Sequence, residues 1–224
     1  MPPLSLAVLT LLVALDAPPH AAKTYDPVPP SRAARTGLYV AGGVLAFAAH
    51  ESGHLAANLI LHNRPRIVPV WGFGFVPFFA ISPDLACNKR GCVRADGQVF
   101  RAGRRGKFAI FTAGFEVQHL TSEIILTFDQ HLRLHRAPFR KGWLTFNIAL
   151  SVAYALASVL HIEDSHGDAG GAAAISGMPR ALMAAWLVAP AAVDLYRYWR
   201  DDSVWAPWLS RGLKVGFVSM AWTF

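Results

Sequence analysis

The chain has 224 residues and a formal net charge of +7, with 54% hydrophobic residues, 16% charged residues and a mean hydropathy of +0.33. That length holds one domain with short extensions, and the balance is too apolar for an ordinary soluble globule. The basic surplus gathers in connecting segments without aromatic interleaving, so the expected partner is a lipid bilayer and not nucleic acid.

Residues 1–36 read as a targeting segment and linker. The apolar run at 4–15 is too short to span a membrane and resembles the core of a secretory signal, with Ala21-Ala22 as a cleavage site, although no Lys or Arg precedes it. Residues 16–35 are rich in proline and polar side chains, as a linker would be. A membrane-embedded domain is expected over 37–196, and an amphipathic tail over 197–224.

The first apolar span, 37–62, carries His50-Glu51-Ser52-Gly53-His54. Histidines four apart share one helix face and can reach one metal ion, and a glutamate beside the first can serve as general base towards water activated there. A random H-E-x-x-H is expected only roughly 0.006 times in a chain of this composition. Residues 36–49 and 55–63 are uncharged, and ionisable groups at membrane depth mark function by default.

Residues 66–83 hold three prolines and two glycines, which argues against a regular helix. A re-entrant loop or hairpin packed beside the site is expected there, with an edge able to pair with an extended peptide. The basic segment 84–107 contains Cys87 and Cys92, either a small-loop disulfide in an oxidising compartment or a pair of thiols.

A second span, 107–128, is interrupted by Glu116, Gln118, His119 and Glu123, so it must face protein or a cavity. Glu116 is a candidate metal ligand because a carboxylate on an apolar helix needs a partner. The third span, 143–162, has no charge. The fourth, 172–196, contains Arg180, Pro190 and Asp194, the last expected to pair with Arg197. The fold class is therefore an all-α polytopic membrane protein of about four membrane helices, with a re-entrant loop or hairpin after the first. The tail 218–224 alternates like the last strand of an outer-membrane barrel, but helix-length spans elsewhere oppose a barrel.

Taken in order, these features resemble the site-2 protease family of intramembrane zinc metalloproteases. That family shows H-E-x-x-H in its first core helix, a hairpin near G-x-G, an A-G-P-x-x-N motif and an aspartate in a D-G-G context. Here Gly72-Phe73-Gly74, Ala113-Gly114-Phe115-Glu116-Val117-Gln118 and Gly167-Asp168-Ala169-Gly170-Gly171 stand in those places over about residues 40–171. Phe115 replaces the proline, Gln118 the asparagine, and Ala169 follows Asp168 where the family has glycine. The resemblance implies Zn2+ held by His50, His54 and Asp168, with Glu116 and then Asp164 or Asp194 as other candidates. It also implies Glu51 as base, Gln118 hydrogen-bonding substrate backbone or an oxyanion, and membrane protein or peptide substrates. The expected location is the bacterial inner membrane.

Two other classes compete. His131-x-x-x-His135 and Glu116-x-x-His119 have spacings found in di-iron enzymes, so a histidine-rich membrane oxidase or desaturase is one alternative. A non-catalytic metal-binding membrane scaffold is the other.

Overall fold

The computed structural model describes residues 31–72, 76–88, 91–162 and 167–223. The expected signal at 1–30, the Phe73-Gly74 pair and Asp164 lie outside the described residues. Helix α1 (Arg32–Ile60) starts at Ser31, whose hydroxyl accepts the Ala34 N–H at 3.2 Å and so satisfies one of the free donors at the helix start. Its buried positions Gly42, Ala46, His50, Gly53, His54 and Ala57 recur every three or four residues. The histidines thus lie on the stripe that packs inward, while Val40, Val44, Leu55 and Leu59 are exposed on the other side.

The proline- and glycine-rich segment forms a hairpin. Strand β1 (Arg66–Gly72) pairs antiparallel with β2 (Val76–Ser82), from Arg66 opposite Ser82 to Gly72 opposite Val76. A second, three-stranded sheet of β3 (Leu85–Asn88), β4 (Gly91–Arg94) and β5 (Val99–Phe100) occupies what reads in the sequence only as a basic loop. Cys87 and Cys92 face each other across β3 and β4 and form a disulfide, which settles their open assignment.

The remaining elements are helical: α2 (Gly103–Phe128), α3 (Pro138–Val159), α4 (Asp168–Ser176), α5 (Arg180–Trp199) and α6 (Trp205–Thr223). The described chain is therefore mostly helical, with two small sheets that an all-α class leaves out. Helix α2 is central and packs against every other helix. The α1–α3 crossing is closest at Gly42 and Gly142, where an added Cβ would strike the backbone of Phe139 and Tyr39 respectively. Only that absence of side chain lets the two backbones approach.

One expectation changes. The single fourth span is two helices, because Gly177 takes a left-handed φ of 77° as the α4 cap and Pro179 precedes α5. The tail is not strand-like: 205–223 is helical and buries Ala206, Phe217, Val218 and Ala221. Seven alternating residues are too few to outweigh packing against α2 and α5. Among the described residues one helix, α3, is both long and apolar enough to cross a membrane, with a mean hydropathy of 1.4 in its best window.

Where α2, α5 and α6 meet, five charged side chains are drawn together. Glu123 accepts from Arg197 at 2.6 Å, Arg211 at 2.9 Å and Lys214 at 2.9 Å. Lys214 also reaches Asp194 at 2.8 Å, and Ser210 donates to Asp194 at 2.7 Å. The expected Asp194–Arg197 pair is present at 3.6 Å, as one edge of this network. Lys214→Met should cost about 3–5 kcal/mol, since it removes the buried cation that Glu123 and Asp194 share. Denaturant unfolding of the variant would measure the loss.

Candidate metal centre

The site is assembled by tying down each histidine from behind. His54 Nδ1 donates to the Ile110 carbonyl oxygen of α2 at 2.7 Å, and a carbonyl can only accept, so the ring proton is on Nδ1. His50 Nδ1 donates to Gln118 Oε1 at 2.8 Å, and Gln118 Nε2 donates to the Asn147 carbonyl oxygen of α3 at 3.3 Å. Asn147 Nδ2 returns a bond to the Gln118 carbonyl oxygen at 3.0 Å and another to Ser122 Oγ at 2.9 Å. Both imidazoles therefore turn a bare Nε2 inward.

Asp168 closes the group. It is the first residue of α4, where the helix dipole favours a carboxylate. Helix α4 can settle on α2 because Gly171 leaves room for the Phe111 ring. Asp168 Oδ2 then stands 3.2 Å from His50 Nε2 and 3.3 Å from His54 Nε2, and the two Nε2 atoms are 3.1 Å apart. Three acceptor atoms face one another with no ring proton to share. One added proton relieves one of these contacts, whereas a divalent cation relieves all three. Their spacing matches the edge of a tetrahedron with centre-to-corner distances of ~2.0–2.1 Å, which is ~3.3 Å. The floor is Gly114: a Cβ there would fall on His54 Nε2 and 2.6 Å from His50 Nε2. The donor set, the spacing and the space left by Gly114 fit a divalent metal ion.

Aromatic rings flank His50. The His50 ring is edge-on to Phe115 at 5.3 Å and stacked with Tyr154 at 6.1 Å between centroids. Glu51 is buried, and its Oε2 accepts the Ile81 N–H of β2 at 2.9 Å. A carboxylate oxygen of Glu51 and one ring nitrogen from each histidine lie within 4.8 Å of one another, close enough for one water to link them.

The structure gathers His50, Glu51, His54, Gln118 and Asp168, and leaves other candidates out. Glu116 is engaged elsewhere, accepting from Trp222 Nε1 at 2.9 Å and Thr112 Oγ1 at 3.3 Å. Gln118 differs from its expected role as well: both ends of its amide are spent on His50 and Asn147, which makes it an orienting group. Asn147 was missed, and its signal was that of a lone amide within an otherwise uncharged, apolar span. His119 is buried against Phe217, while His131 pairs with Asp201 and His135 with Asp129 at the surface. No protein-family model, no curated protein and no solved structure matches the chain.

Proposed function

We propose that this protein is a membrane-embedded zinc peptidase hydrolysing peptide bonds of membrane-associated substrates. The observation that carries the reading is the convergence of His50 Nε2, His54 Nε2 and Asp168 Oδ2 at 3.1–3.3 Å, with Glu51 beside them. The order of motifs shared with site-2 proteases supports it. His131 and His135 are engaged by Asp201 and Asp129, and Glu116 by Trp222 and Thr112, which favours one ion over a di-iron centre.

Polarity turned inside out supports a bilayer as the surrounding solvent. Glu123, Asp194, Arg197 and Lys214 are buried, while Leu38, Val44, Leu59, Leu156 and Leu160 face outward. Helix α1 has 29 residues and α2 has 26, both long enough for a hydrocarbon core of about 30 Å at 1.5 Å per residue.

A bound divalent cation would supply Lewis acidity at the scissile carbonyl and acidify an adjacent water. Glu51 would accept a proton from an attacking water and return it to the leaving amine. The Ile81 N–H holds Oε2 of Glu51 and leaves Oε1 for proton traffic. Gln118 and Ile110 keep both imidazoles aimed, and Phe115 and Tyr154 exclude bulk water.

Metal analysis of purified protein, together with cleavage of co-expressed single-span substrates, tests the reading. One zinc per chain is expected. Asp168→Ala should weaken metal binding by more than about 100-fold, the upper cost of losing an outer-shell partner alone. Two irons per chain, or full metal occupancy in Asp168→Ala, would overturn the assignment.

A further inference from the structure

A cavity of about 340 Å³ opens next to the hairpin, lined by Ser82 at the end of β2, Asp84 just after it, Arg94 of β4, and Lys107 and Phe111 of α2. Two of its lining residues are linked to the metal centre through their neighbours. Ser82 follows Ile81, whose N–H reaches Glu51, and Phe111 is the ring seated against Gly171 of α4.

Two cations line this space beside a single carboxylate. Lys107 Nζ donates to the Leu85 carbonyl oxygen at 2.7 Å and lies 5.5 Å from the Phe111 ring centre. The Arg94 guanidinium lies 6.0 Å from the Phe100 ring centre, and its buried Nε has no hydrogen-bond partner. Among the described residues neither is ion-paired. Asp84, the one carboxylate in the lining, is shared with Arg66 at 3.6 Å. A guanidinium and an ammonium with unused protons are donors that suit the oxygens of an anion. The volume lies at the lower end of the range for small-ligand sites.

We propose that this cavity receives a carboxylate of the peptide substrate, one to three residues from the scissile bond, and so sets specificity for acidic sequences. The proposal rests on the peptidase reading for the identity of the ligand. Strands advance by ~3.3 Å per residue, so a peptide following β2 past Glu51 reaches the cavity within that span.

The test uses the full-length Glu51→Gln protein, which should bind peptide without cutting it. Two acetylated, amidated hexapeptides serve as probes, identical except for one Glu or Gln, with inorganic phosphate as a third arm. The Glu peptide should bind at least about tenfold more tightly, the worth of one charge-assisted hydrogen bond. Adding Arg94→Gln and Lys107→Gln together should erase that preference and leave the Gln peptide's affinity unchanged. Equal binding of the two peptides, no binding of either, or a preference that survives the double substitution overturns the proposal. So does phosphate binding more tightly than the Glu peptide. If the wild type cuts no substrate yet the Glu preference appears and is lost in the double variant, the carboxylate site stands and the peptidase reading alone falls.

Discussion

Glu51→Gln is expected to lower the cleavage rate by about 10²–10⁴-fold, the usual worth of a positioned general base, while metal stoichiometry stays at the wild-type value. The two effects separate because Glu51 is not one of the three converging acceptors. Glutamine has the shape of glutamate, and its amide oxygen can still accept the Ile81 N–H that Glu51 accepts at 2.9 Å. The hairpin is therefore still tied to α1, and only proton transfer is lost. Glu51→Ala removes that tie as well, so it should also weaken substrate binding. Initial rates on a single-span substrate and metal analysis of the same preparation check both parts. Cleavage by Glu51→Gln within tenfold of wild type would remove Glu51 from the mechanism.

Local features were the legible ones. The 3.6-residue period set His50 and His54 on the inward stripe of α1, and prolines at 69, 77 and 83 with glycines at 72 and 74 marked a hairpin. What depends on distant pairing was hidden. Asp168 meets the histidines across 118 and 114 residues of chain, and the resemblance supplied it where physical pattern did not. Lys214 and Arg211 reach Glu123 from a tail whose pattern gave no sign of a buried cation. The three-stranded sheet was masked because its strands, two to four residues each, are too short for alternation to register. The α4–α5 break lay within one apolar run, with only Gly177 and Pro179 to mark it.

The strongest test of the metal pocket itself is Gly114→Ala. Alanine is the better helix former by about 1 kcal/mol, so by propensity alone the variant should be no less stable. Its methyl group, however, enters the space between His50 and His54. Neither ring can yield cheaply, since His54 is held by the Ile110 carbonyl and His50 by Gln118. Metal affinity should fall by more than about 100-fold, beyond what loss of an outer-shell partner costs, with the folded metal-free protein retained. Gly142→Ala provides the contrast. There the added carbon meets the Tyr39 backbone, which cannot rotate away, so overpacking should cost about 1–3 kcal/mol whether or not metal is present. Gly114→Ala should therefore lose metal affinity along with some stability, and Gly142→Ala stability alone, as metal titration and denaturant unfolding of the two variants would show. Zinc binding by Gly114→Ala at wild-type affinity would mean that the convergence of His50, His54 and Asp168 is not an ion site.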